Sequence, residues 1–120
     1  MSAVPLTEAC CIRALLPDDG TDLRLLKALL REHGITRADS VHVRSVGMLH
    51  AARSKRGLLP EAEMAKLLIV VVDAATADAL FDYICEKGNI NRPGGGLVTM
   101  QRLGGATAFT LLGGVAIGSE

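Results

Sequence analysis

Gly88-Asn89-Ile90-Asn91-Arg92-Pro93-Gly94-Gly95-Gly96-Leu97-Val98-Thr99-Met100 joins an amphipathic helical pattern to an apolar strand pattern, and its reading decides the fold. Three glycines in a row suit no regular element, because glycine loses the most backbone freedom on folding. They suit a turn that needs positive φ, or a backbone approached too closely for a Cβ. Consecutive N–H groups in such a turn can also make an anion-binding concavity. Two readings follow: a tight helix-to-strand connection, or a loop that faces a ligand or partner.

Upstream, Ala74 to Lys87 reads as a helix, with Ala77, Leu80, Phe81, Ile84 and Cys85 at i, i+3, i+4, i+7 and i+8 and Gly88 as its stop. Lys66 to Val72 before it is a short, β-branched strand. Further back, 48–63 shows no clean period and reads as a flexible loop, with a helical turn expected around Pro60 to Met64. Loops of that length are uncommon in compact domains unless they work. Val41-His42-Val43-Arg44 alternates as a half-exposed strand. Thr21 is the expected cap of a first helix in which Leu23, Leu26 and Leu30 recur at helical spacing, flanked by Leu25 and Leu29, with Gly34 as its stop. Ala9 to Leu16 is nearly all apolar, as in a central strand, and residues 1–8 read as a polar lead-in. Downstream, Leu97 to Leu103 is a fourth strand, and 104–120 is a tail able to add a short edge strand or to pack on another subunit.

The order β-α-β-β-α-β is that of an α+β, ferredoxin-like fold, with two helices on one face of a four-stranded antiparallel sheet and one domain over residues 1–120. Strands 9–16 and 66–72 are apolar on both faces, so the second face calls for cover by other copies.

Composition narrows the function. Only Phe81, Tyr83 and Phe109 are aromatic, which removes the base-stacking platforms of nucleic-acid binders. Net charge is zero, which gives no bulk attraction to nucleic acid or membrane. Residues 41–60 hold no Asp or Glu, while His42, Arg44, His50, Arg53, Lys55 and Arg56 lie there. Cys10, Cys11 and Cys85 lack the spacing of a disulfide framework or a zinc pair, and read as buried thiols. His33, His42 and His50 form no nucleophile or metal pattern, so neither an enzyme nor a metal site is expected. No leading signal segment or membrane span is read, which makes a cytoplasmic protein the expectation.

Asp82-Tyr83-Ile84 and Ile90 through Met100, with Ile35-Thr36 and a strand directly after a long loop, resemble the PII superfamily of trimeric signalling proteins, in a branch distinct from the nitrogen regulators. The resemblance covers roughly residues 9–103 and is most specific over 79–100. It implies a homotrimer with the sheets inside. It makes 48–63, carrying His50, Arg53, Lys55 and Arg56, the loop that touches a regulated partner, often a membrane transporter. It implies that 88–96 holds the phosphates of an adenine nucleotide (ADP, ATP or AMP) between subunits, with bicarbonate as the alternative anionic ligand. The C-terminal segment would cross the same cleft. Gly47 matches a glycine lining the adenine pocket and Gly95 a phosphate-loop glycine.

The match departs from the nitrogen regulators in several places. Gly96 stands where they have a lysine, 104–110 lacks their paired arginines, and the shorter target loop lacks the modified tyrosine. Each lost charge-assisted phosphate contact is worth ~1.5–3 kcal/mol, which Arg92 and the amides of Gly94, Gly95 and Gly96 would have to offset. Two alternatives stay open: a trimer like the CutA proteins, tied to metal tolerance through His42, His50 and the cysteines, and a structural trimer without ligand.

Overall fold

Side chains alternate across a strand, and β2 (Ala9–Pro17) shows what that does here. Cys10, Ile12, Ala14 and Leu16 point to one face and are buried there; Arg13 on the other face is exposed. A computed structural model of the chain describes residues 5–46 and 62–107. After β1 (Leu6–Thr7) and β2 come α1 (Thr21–His33), β3 (Ala38–Val46) and β4 (Ala62–Asp73). A single 3₁₀ turn (Ala74–Thr76) then leads to α2 (Ala77–Lys87), β5 (Leu97–Arg102) and β6 (Ala106–Thr107). The main sheet runs β3-β4-β2-β5, all antiparallel, and β1 pairs with β6 in a separate two-stranded ribbon. This is the expected ferredoxin-like arrangement. No helix among the described residues is long and apolar enough to cross a membrane.

The core lies between helices and sheet. Ile12, Leu16, Leu68, Val70 and Val72 meet Leu25, Leu29, Leu80 and Ile84, all buried. On α1 the structure reverses the expected stripe. Leu25 and Leu29 are buried, while Leu23 and Leu30 are 59% and 53% exposed. Both leucine sets have helical spacing, so periodicity alone could not choose. The buried set carries Asp22 onto β3, where its carboxylate accepts a 2.6 Å bond from Ser40.

Other expectations shift at their edges. The turn around Pro60–Met64 is not helical over 62–64, because Ala62 and Glu63 pair with Val46 and Ser45 and extend β4 into the expected loop. Thr21 does not cap α1. Gly20 holds the cap position with φ 90°, and Asp19 accepts the Thr21 N–H at 3.1 Å and hydroxyl at 2.5 Å. Gly88 ends α2 in right-handed conformation, and Asn89 (φ 50°) makes the left-handed reversal. The lead-in contributes β1, whose partner β6 is the edge strand the tail could supply.

The second sheet face carries Val41, Leu67, Ile69, Val71, Leu15 and Leu97, interrupted by Arg13, Asp39, Thr99 and Gln101. Val41 and Leu97 are 43% and 48% exposed. Cys10 and Cys11 fall on opposite faces, both buried. Burial, then the nearby Asp82, pushes the half-buried Cys85 thiol up.

Candidate functional site

Arg92 is where the glycine turn and the rest of the chain meet. Its Nη1 donates to the Gly88 carbonyl at 3.0 Å and, longer, to the Asn89 carbonyl at 3.5 Å. Its Nη2 donates to Asp19 Oδ2 at 3.0 Å and to the Thr21 hydroxyl at 3.3 Å. One planar guanidinium thus ties the turn after α2 to the turn before α1, using the fork of donors that lysine lacks. The Thr21 hydroxyl and amide, with the Arg92 and Arg24 charges, hold the Asp19 carboxyl below the ordinary carboxylate range.

The glycines are accounted for by the backbone. Gly94 and Gly96 take φ of 70° and 112°. A Cβ on Gly96 would overlap the Leu15 carbonyl oxygen, and one on Gly95 would overlap the carbonyls of Ile90 and Arg92. The Gly95 N–H donates to the Arg92 carbonyl at 2.9 Å. Of the groups expected to face an anion, Arg92 and the Gly95 amide are therefore engaged within the chain.

Gly47, His50, Arg53, Lys55 and Arg56 lie outside the described residues. The strands fix where their loop is rooted. β3 ends at Val46 and β4 starts at Ala62, at the sheet end where β5 begins. Glycine turn and loop base share that end, but Leu97 is level with Val41, so Val46 stands five residues further along, about 16 Å, as well as about 14 Å across three strand spacings.

A different hollow lies at the other end of the sheet, and the sequence reading did not point to it. Thr36 and Arg37 just before β3, Asp39 of β3, Ile69 and Val71 of β4, and Thr107 of β6 line an open cleft of about 480 Å³. Arg37 sits within it at 14% side-chain exposure, 3.4 Å from Asp73 Oδ1, and its carbonyl accepts the Val71 N–H at 3.0 Å. β6 reaches the cleft through a bulge. Between the pairs Cys10–Arg102 and Thr7–Ala106 lie two residues on one strand, Glu8 and Ala9, and three on the other, Leu103, Gly104 and Gly105. The extra residue bends the ribbon. Gly104-Gly105 was the available signal, but a register offset is not readable from a glycine pair.

Cleft and glycine turn are far apart in one chain. Val71 pairs with Cys11, and Leu97 with Leu15. Four residues of strand separate them, about 13 Å.

A third polar group sits between α1 and the β3–β4 hairpin. Lys66 Nζ lies 2.9 Å from His42 Nε2 and 3.9 Å from the buried Asp22 carboxylate. His42, a ligand candidate in the metal alternative, is thus occupied by a lysine. No group of three His, Cys, Asp or Glu able to hold a metal forms among the described residues.

No protein-family model matches the chain, and no curated protein matches it in sequence. Solved structures do. The PII protein of Arabidopsis thaliana bound to citrate superposes with a TM-score of 0.61 at 15% identity, covering 81% of this chain and 78% of that one. The B. subtilis GlnK–ATP complex gives 0.55 at 17% identity, covering 81% and 85%. CutA from Synechococcus elongatus gives 0.63 at 9% identity, covering 88% and 87%. At these identities the likeness is one of fold, and the fold is the PII-like ferredoxin fold that PII, GlnK and CutA structures share.

Proposed function

We propose that the chain is a non-enzymatic, PII-like regulator that binds a small anion between copies of itself and passes the binding event to a partner protein. The observation that carries this reading is the cleft of Arg37, Asp39, Ile69, Val71 and Thr107. It opens on the uncovered sheet face, at the end remote from the glycine turn. If the sheets associate through that face in a trimer, the cleft of one copy can meet the glycine turn of the next. The half-sites are then complete only in the assembly. Arg37 is the cation best placed to meet a carboxylate, a bicarbonate or the phosphates of an adenine nucleotide. The neighbours crystallised with citrate and with ATP support that ligand class. Binding would bias the loop between Val46 and Ala62 toward a docked state against its target, a membrane transporter being the target type the resemblance implies.

Calorimetry with ADP, AMP, ATP and bicarbonate tests this, alongside sizing. The expected result is heat with at least one ligand, lost in Arg37→Ala while the assembly persists. Silence from all four ligands with the assembly intact overturns the reading.

A CutA-like reading without a nucleotide has its own support. Arg92 and Gly95 are spent inside the chain, and CutA structures superpose as well as PII does. On that reading the sheet face still assembles, but the four ligands give no heat.

A further inference from the structure

The two helices carry opposite charges on their outer flanks. On α1, Arg24, Lys27 and Arg31 are exposed, and on α2, Asp78, Asp82 and Glu86 are exposed. Among the described residues none of the six makes an ion pair. The cations lie seven helical steps apart end to end and the acids eight, about 10.5 Å and 12 Å of helix. Inside one chain the stripes do not meet. The helices touch through Glu32, which accepts the Tyr83 hydroxyl at 2.7 Å and lies 3.7 Å from Lys87 Nζ. At 100° per residue the charged stripes stand roughly a third of a turn away from that contact. Leu23 and Leu30 lie beside the cations and are more than half exposed.

We infer that the cationic flank of α1 docks on the acidic flank of α2 in a second copy of this chain. The partner is identified by complementarity: equal and opposite stripes of matched length, in a chain of zero net charge, suit each other better than a uniformly charged surface. The contact joins two different patches, so it is heterologous and propagates from copy to copy unless the rotation closes a ring. It is independent of the sheet-face assembly proposed above. Exposed pairs are individually weak and screened by salt, which makes this a low-salt association, while the apolar sheet face does not loosen as salt rises.

Analytical ultracentrifugation of the full chain at about 10 mM and about 1 M salt, where screening lengths are about 30 Å and 3 Å, reads the contact. We expect larger species at low salt that fall to the sheet-face assembly at high salt. Reversing either flank, by Lys27→Glu with Arg31→Glu or by Asp82→Lys with Glu86→Lys, is expected to weaken the low-salt association by about tenfold. Each variant should be checked for native circular dichroism. Mixing the two variants, or combining all four changes in one chain, restores complementary flanks and is expected to restore the association. Absence of salt-dependent association in the unaltered chain overturns the inference, as does failure of the combined variant to recover.

Discussion

Arg92 Nη2 stands 3.0 Å from Asp19 Oδ2, joining residues 73 positions apart in sequence. The same carboxylate accepts from the Thr21 amide and hydroxyl at the start of α1, so one acid serves two turns. The pair is half open to solvent, which limits its Coulombic worth.

Arg92→Ala should therefore destabilise through lost hydrogen bonds rather than lost charge, by about 1–2 kcal/mol in urea denaturation. Asp19→Asn should cost about 1 kcal/mol at neutral pH through weakened hydrogen bonds from Thr21 and Arg92. Asp19 titrates lower in the folded chain than in the unfolded one. Its contribution is thus present above the unfolded value of 3.8 and fades as pH falls through the folded one. The gap between Asp19→Asn and the unaltered chain should narrow in that acid window. An equal gap at all pH values would remove the carboxylate from the account.

Gly96 and Gly104 should answer alanine in opposite ways. Gly96 combines φ 112° with a Cβ path blocked by the Leu15 carbonyl, whereas a Cβ on Gly104 meets nothing within 4 Å. Gly96→Ala is expected to cost about 3 kcal/mol or more. Gly104→Ala should stay within about 0.5 kcal/mol of the unaltered chain. Thermal melts of the two variants side by side check the contrast.

Leucines five residues apart on α1 should differ as sharply. Leu25→Ala opens a cavity in the core and should cost about 2–5 kcal/mol. Leu30→Ala removes a side chain that is 53% exposed and should leave folding nearly unchanged. Similar losses at both positions would mean the helix is rotated from the orientation described.

Tyr83 should ionise late. Burial, then its bond to Glu32, pushes it up to about 12. Its folded value lies above the unfolded value of 10.0, so its contribution is complete below that and is lost as pH rises through about 12. The Tyr83 hydroxyl, Lys87 and His33 hold the Glu32 carboxyl below its ordinary value. That contribution is present above 4.5 and lost as pH falls through the folded value. Tyr83 is the single tyrosine of a chain without tryptophan, so near-ultraviolet absorbance follows it directly. Glu32→Gln should bring the midpoint down toward the ordinary phenol value.

The strand and helix order was legible because helical leucine and alanine stripes alternate with short apolar, β-branched runs, and the sheet order follows from the βαββαβ plan. The orientation of α1 was not, since five leucines between residues 23 and 30 satisfy two helical faces at once. What chose between them is tertiary: the bond from Ser40 to Asp22 and the fit of Leu25 and Leu29 against β2 and β4. In the glycine turn, the sequence showed that glycine is required without showing why. Gly96 answers to the Leu15 carbonyl and Gly95 to those of Ile90 and Arg92, and such approaches across the fold leave no local mark. The pairing of Arg92 was not legible because its partner Asp19 is so distant in sequence. The Arg37 cleft was invisible for a related reason, since β3, β4 and β6 become its walls only once paired and bent.

The surplus residue between Leu103 and Gly105 works as a corner. A chain with one glycine fewer could keep Thr7 opposite Ala106 and Leu6 opposite Thr107, every partner unchanged. The ribbon would then run straight on as plain ladder, and the hollow around Arg37 would lose a wall. A single deletion that breaks no pairing could thus erase the cleft, a kind of change that a comparison of aligned residues would pass over as a harmless gap.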